Sequence, residues 1–450
     1  MELLSRYGPA EKGEERTLAF ALLAFFLVFT AWYMIRPVRE ALGIARGADD
    51  LPWLMVGTVI ATLIANPIFA RLTTRSTRAT LARRVYRFLA LNLVAFYLAL
   101  VIFPTQLGID ETARLWIGYG LFIWISIFSL LIGSLLWSLC SEIFAPEAAG
   151  RLFGLLAGAC SLGGLVGATA TSHLVGRFDD PLHVLLLAAL LLEGAAHAAQ
   201  RIPRQGLAPA TPREPTPKDA ASSKTEAPLE GSAFEGLALT LRSPYLCGIS
   251  GYILAYTLVG TLAYLIQGAV IDALGADLSG DIQRFAWIDQ LTNGGTLLVQ
   301  LFALRRLVAR FGVGPWLAAL PAVFLIGFGC LWAFPIYAVL ATFQVLRRVT
   351  NYGLAKPARE MLFTPLARAE KYKAKNLIDL FVYRTGDTLG SLAHVGLSSL
   401  GLGIAGIAGI AVPVSGLWLL LTPLLGRAFT RRLAENERSK SPLVSQERES

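Results

Sequence analysis

Two neighbouring apolar stretches between Gln344 and Asp387 carry charge inside their hydrophobic spans. On the first, Gln344, Arg347 or Arg348, and Asn351 follow the 3.6-residue period and form one polar stripe. On the second, Asp379, Tyr383 and Asp387 are spaced by four, with Arg384 beside the last two. A charge at the centre of a bilayer costs about 2.5–3.5 kcal/mol on insertion scales, so it faces a protein interior or a wet cavity. An Arg348–Asp387 or Arg384–Asp387 ion pair would lock two helices together. The surplus of arginine and lysine over acid around that pair points instead to an anionic ligand, and the planar guanidinium fork suits phosphate or carboxylate. The turn between the stretches holds Lys356, Arg359, Lys371, Lys373 and Lys375. Basic residues are expected at a cytoplasmic turn in any case, and Lys356, Lys373 and Lys375 would also guide anions inward.

Two more charged groups lie in apolar segments. Arg36 and Arg39 share a helix face at i,i+3, and Arg36 and Glu40 at i,i+4. Arg36 falls roughly 27 Å along a helix starting at Leu18, close to the far interface, where snorkelling to water competes with a site role. Asp289 sits with Gln290 and Asn293 about one and a half turns inside another span. It reads equally as a structural carboxylate, a proton site or a ligand contact.

The elements that must position these groups are membrane helices. The chain has 450 residues, 55% hydrophobic and 16% charged, with mean hydropathy +0.57. Runs of about 20 apolar residues recur. They predict about twelve spans: 18–42, 51–70, 85–104, 114–139, 152–175, 181–200, 244–267, 284–304, 315–334, 336–355, 376–400 and 403–425. The first runs on into Tyr33-Met34-Ile35-Arg36 without a small-residue cleavage site, so it reads as a helix rather than a signal peptide. The net charge of +9 is not a nucleic-acid signature, because its placement alternates. Arg71, Arg75, Arg78, Arg83 and Arg84 lie in one loop, Arg305, Arg306 and Arg310 in another, and Arg427, Arg431 and Arg432 after the last span. Asp49-Asp50, Asp110-Glu111, Asp179-Asp180 and Asp277 lie in the opposite loops. That is the positive-inside pattern, with both termini cytoplasmic. Cys140, Cys160, Cys247 and Cys330 form no CxxC pair, and His173, His183, His197 and His394 have no ligand spacing, so no metal or cofactor is expected. Nothing supports an enzyme, and a monomer in the lipid bilayer is expected.

Residues 201–240 mix six prolines with Ala, Ser, Thr, Lys and Glu and read as a disordered cytoplasmic linker. The expected organisation is a tail at 1–16, a six-helix bundle at 17–200, the linker, a second bundle at 241–427 and a tail at 428–450. Glu142-Ile-Phe144-Ala-Pro146 and Glu360-Met-Leu-Phe363-Thr-Pro365 follow the fourth and tenth spans, a weak repeat consistent with two pseudo-symmetric halves. Gly154, Gly158, Gly163, Gly164 and Gly167 predict close helix packing. Asn66-Pro67 predicts a tolerated kink, and Arg87 an interfacial anchor more than a ligand.

These residues resemble a family, the ATP/ADP antiporters of plastids and obligate intracellular bacteria, a divergent relative of the major facilitator superfamily. Arg36-Pro-Val-Arg39-Glu40 is similar to the family's R-x-x-K-[DE]. Leu136-Trp137 followed by Glu147-Ala-Ala-Gly-Arg151 resembles the turn after its fourth helix. Pro357-Ala-Arg359-Glu360-Met361, then Pro365-Leu366 and Lys373-Ala-Lys375-Asn-Leu-Ile378-Asp379, is similar to P-x-K-E-M…P-L…K-G-K-x-x-I-D, the most specific match. The resemblance implies a bacterial inner-membrane transporter working by alternating access. Its substrate would be a phosphorylated organic anion, a nucleotide first among them. Arg39 and Arg359 stand where the exchangers have functionally important lysines. The glutamates those exchangers carry in helices four and seven align here with Ile125 or Ser126, and with Ala263 or Tyr264. The expected substrate contacts are Arg36, Arg39, Arg347, Arg348, Arg359 and Arg384, with Glu40, Asp289, Asp379 and Asp387 in gating or coupling. A proton-coupled carrier of another organic anion is the alternative. A sensor or scaffold that keeps the fold without transporting is a third reading.

Overall fold

The computed structural model of the chain describes residues 14–74, 78–143, 146–202, 239–303, 314–366, 370, 374–375 and 377–446. Most of the expected linker, the Arg305–Arg310 loop and Lys373 lie outside the described residues. The described residues build an all-α protein. In chain order the helices are α1 (Glu14–Gly43), α2 (Leu51–Thr74), α3 (Arg78–Tyr97), α4 (Glu111–Ile143), α5 (Pro146–Leu174) and α6 (Val184–Gln200). They continue with α7 (Pro244–Asp272), α8 (Leu278–Leu298), α9 (Gly314–Ala333), α10 (Tyr337–Thr350), α11 (Tyr383–Ser399) and α12 (Ile404–Gln446).

Among the described residues, α1 to α7, α9 and α12 are long and apolar enough to cross a membrane by length and composition alone. The helices that fall short are α8, α10 and α11, which carry Asp289, the Gln344–Asn351 stripe and Asp387. Polar residues lower the average hydropathy of all three, and α10 and α11 are also short, at 14 and 17 residues. The chain is therefore a multi-pass membrane protein, and part of the candidate site lies on these three helices.

The chain falls into two compact units, residues 1–214 with 271–297, and residues 215–270 with 298–450. In the first, α1 packs along α5 and α6, and α3 packs on α6. The buried positions Ala21, Ala24, Phe25, Val28, Ala31, Ile35 and Val38 recur every three or four residues and form the contact face of α1. Lipid gives no hydrophobic drive between helices, so close van der Waals contact must hold them. A Cβ on Gly163 would stand 2.5 Å from Phe26 O, and one on Gly167 would overlap the carbonyl of Thr30. Gly154 and Gly158 face open space, so only the second half of the glycine run is a packing surface. Although α8 follows the linker in sequence, it packs with this first unit. Gln283 Nε2 donates to Ser172 O at 2.9 Å, and the Asn293 amide stands directly against Gly164.

In the second unit α9 packs on α12 and α10. Phe324, Phe328, Phe343 and Trp418 form its aromatic centre, with ring centroids 5.2–5.8 Å apart. A Cβ on Gly390 of α11 would lie 2.8 Å from Leu258 O of α7. That approach, with Gly386 against Thr257, seats α11 on α7.

Among the described residues four π-helical turns interrupt the helices, at Leu98–Ile102, Val299–Ala303, Asn351–Ala355 and Ile378–Val382. The last two fall on Asn351 and Asp379. Helix α2 tolerates Pro67 within its length. A difference from the sequence reading concerns an end: α12 continues to Gln446, well beyond the expected end at 425. An Arg431–Glu435 contact of 3.1 Å at i,i+4 supports that extension.

Candidate functional site

The residues singled out by sequence fall into two clusters, one in each unit. In the first unit the Arg36 side chain is 17% exposed and its Nη1 lies 2.5 Å from Asp289 Oδ1. It runs into the protein rather than out to water, so snorkelling does not describe it. Asp289 is 2% exposed, and its backbone carbonyl accepts from Asn293 Nδ2 at 2.9 Å. Arg36 Nε is also 3.9 Å from Glu40 Oε1. Arg39 Nη1 donates to Glu40 at 2.8 Å, its Nε to Ser126 Oγ at 2.8 Å, and its guanidinium stands 4.1 Å from the Phe122 ring centre. Two arginines and two carboxylates thus form one buried network. Ser126 is one of the two positions aligned with a family glutamate, and it holds the arginine aligned with a family lysine.

The second cluster is built differently. Gln344 is fully buried, donates to Ala263 O at 2.7 Å and accepts from Arg347 at 2.6 Å. Arg347 also stands 5.5 Å from the Phe324 ring centre. Arg348 is 6% exposed and donates to Gln267 Oε1 at 2.9 Å. Asp387 pairs with Arg384 at 3.6 Å and accepts from Thr261 Oγ1 at 3.2 Å. Of the two ion pairs open to the sequence, Arg384–Asp387 is the one formed.

Arg359 is 6% exposed. Its Nη2 donates to Asn351 Oδ1 at 3.1 Å and its guanidinium stands 4.3 Å from the Tyr256 ring centre. Tyr252 and Tyr383 are also close. Its Nη1 is buried with no hydrogen-bond partner, and no carboxylate pairs with it, among the described residues. The π turn explains why Arg359 meets Asn351. Eight residues advance an ideal helix by roughly 800°, leaving two side chains about 80° apart. One extra residue taken up in a π turn returns them to about the same face. Pro357 has no N–H to close the ladder bond to the Gly353 carbonyl, which favours the wider turn there.

The remaining expected residues lie around this cluster. Lys375 Nζ is 2.6 Å from Glu360 Oε2. Lys356 and Asp379 are exposed. Outside the clusters, Arg87 is paired with Glu193 at 2.7 Å, which gives it a structural partner. Sequence reasoning missed Gln267, Tyr256 and Thr261 on α7. Gln267 is the one side-chain amide in its expected span, a signal that was present but unread.

The architecture is that of the major-facilitator transporters. The family model described as Major Facilitator Superfamily matches residues 4–168. Among solved structures, a bacterial homologue of the iron transporter ferroportin in an inward-facing state superposes with TM-score 0.61. It is 14% identical, with 93% of this chain and 99% of that one covered. A variant of the nucleoside transporter NupG gives TM-score 0.59 at 11% identity, covering 92% and 99%. The resemblance to ATP/ADP antiporters holds along nearly the whole chain. ADP,ATP carrier protein 2 of Chlamydia trachomatis serovar D is 27% identical over 507 residues, covering 95% of this chain and 91% of the carrier. ADP,ATP carrier protein 1 of Chlamydia pneumoniae is 22% identical, covering 97% and 96%.

Proposed function

We propose that this protein is an alternating-access transporter that exchanges phosphorylated organic anions, with nucleotides of the ATP/ADP type as its substrates. The setting of Arg359 carries this reading. A buried guanidinium without a carboxylate partner is costly, and a bound anion supplies the missing charge. Its unpartnered Nη1 lies beside the Nη2 that Asn351 holds, so two donors are available to a phosphate. The ADP,ATP carriers found as relatives support the nucleotide assignment.

In this scheme Arg36, Arg39, Arg347, Arg348, Arg359 and Arg384 are the substrate contacts. Glu40, Asp289, Asp379 and Asp387 act in gating or coupling. Lys356, Lys373 and Lys375 draw anions toward the cavity. The protein works as a monomer in a bacterial inner membrane with both termini in the cytoplasm. The test is counterflow in proteoliposomes preloaded with unlabelled ADP, offered a panel of labelled anions. Labelled ATP or ADP should accumulate only in preloaded vesicles, and Arg359→Gln should abolish the accumulation. Counterflow confined to anions lacking phosphate would overturn the assignment.

A further inference from the structure

A groove of about 910 Å³ runs between α9 and α12 and shares no lining residue with either charge cluster. The two helices meet at Gly314 and Gly426, where a Cβ on Gly426 would lie 3.6 Å from Gly314 Cα. Beyond that crossing Pro315 and Ala318 of α9 face Leu419 and Leu420 of α12 across an apolar channel, and Arg427 and Arg431 close its end. Arg427 lies 23 residues after Ile404, the start of α12. At 1.5 Å per residue that is roughly 34 Å, just past a hydrocarbon layer of about 30 Å. The apolar wall therefore stands at acyl-chain depth and the arginines at headgroup depth.

The three arginines at this end of α12 are not equivalent. Arg432 turns inward: it donates to Ser243 Oγ at 3.2 Å, stands 4.7 Å from the Tyr245 ring centre and reaches Glu370 at 4.0 Å. Arg427 and Arg431, one turn apart, line the groove instead. Arg431 has a single contact with Glu435 and is 83% exposed. Arg427 is exposed and has no hydrogen-bond or ion-pair partner among the described residues. Positive-inside placement accounts for basic residues at this level, but not for two of them lining the end of an otherwise apolar groove.

We propose that this groove binds one anionic phospholipid, with an acyl chain against Ala318 and Leu420 and the phosphate between Arg427 and Arg431. A zwitterionic lipid fills the channel equally well but gains less from the arginines, so the site selects headgroup charge.

The test is native mass spectrometry of the detergent-purified full chain mixed with equimolar phosphatidylglycerol and phosphatidylcholine of identical chains. The wild-type protein should retain one phosphatidylglycerol in preference. Arg427→Gln with Arg431→Gln should lower that retention about thirtyfold, roughly fivefold for each arginine, and leave phosphatidylcholine unchanged. Ala318→Phe, which narrows the channel and keeps both charges, should lower retention of both lipids. Equal phosphatidylglycerol retention by wild type and the double glutamine variant would overturn the proposal. So would unchanged retention of both lipids in Ala318→Phe, which would place the lipid on exposed arginines outside the groove. Dimers that Ala318→Phe abolishes, with lipid retention unaffected, would assign the groove to a second copy of the chain and overturn it as well.

Discussion

The two units handle buried arginine in opposite ways. In the first, Arg36 and Arg39 meet Asp289 and Glu40, two cations against two carboxylates. In the second, Gln267 and Gln344 receive Arg348 and Arg347, Asn351 and Tyr256 hold Arg359, and Asp387 is bound to Arg384. Amides and aromatic faces orient a guanidinium without neutralising it. The first arrangement is suited to holding helices in register. In the second, Arg359 has no carboxylate partner among the described residues, which leaves its charge for something else to satisfy. Removing a partner from the balanced cluster should therefore damage stability, and removing a cation from the other should damage ligand binding.

The largest effect is expected at Asp289. Asp289→Ala strands Arg36 beside the more distant Glu40, and breaking a buried pair typically costs about 3–5 kcal/mol. Folded yield and thermal midpoint in detergent should fall sharply, and Arg36→Gln combined with Asp289→Asn should restore much of both. Asp387→Ala should cost far less, because its partner Arg384 is 36% exposed and can be solvated. Similar losses for the two single alanine variants would erase the distinction between the clusters.

Arg359→Gln is the converse. Loss of a buried charged donor to an anionic ligand corresponds to about 2–5 kcal/mol, or at least roughly thirtyfold in affinity. Without ligand the variant should be as stable as the parent, since no carboxylate is orphaned. Added ATP should raise the thermal midpoint of the parent and not of Arg359→Gln. Destabilisation of the ligand-free variant would show that Arg359 is a structural strut.

A finer test separates orientation from charge. Pro357→Ala restores an N–H that can close the ladder to Gly353, so the π turn can tighten and rotate Arg359 away from Asn351 by about 100°. ATP-dependent stabilisation should weaken by several-fold, while ligand-free stability holds or rises. Unchanged ATP stabilisation would mean that the π turn does not position the arginine.

Much of this was legible in the sequence. Periodicity placed the Gln344–Asn351 stripe on one face of α10, and runs of about 20 apolar residues predicted about twelve spans, among them α8, α10 and α11, which a stricter window of length and hydropathy passes over. The π turns were not legible, because they depend on which carbonyl each N–H reaches and leave composition unchanged. Asn351–Arg359 is an i,i+8 pair, which ordinary helix periodicity separates. The partners on α7 were hidden for another reason. Gln267, Thr261 and Tyr256 sit in an apolar span where single polar residues are common, and only the arrival of Arg348, Asp387 and Arg359 opposite them gives them a role. The association of α8 with the first unit rests on contacts across more than a hundred residues, such as Gln283 to Ser172, that local pattern does not encode.

The smallest predicted effect concerns an acid that belongs to neither cluster. Asp281 lies in the first turn of α8, ahead of the span expected from 284. Burial pushes its carboxyl up from its ordinary 3.8 to about 6, Asp272 and Asp277 add to the rise, and Arg284 at 3.2 Å offsets only part of it. The folded chain therefore holds this proton more tightly than the unfolded chain does. Its contribution to stability is fullest below about pH 4 and is lost as the pH rises through about 6. Asp281→Asn keeps the shape and removes the titration. Across pH 4.5 to 7.5 the midpoint of the parent should decline relative to that of Asp281→Asn, by about 1–2 °C in all. Parallel curves over that window would mean that the carboxyl is solvated well enough to titrate normally.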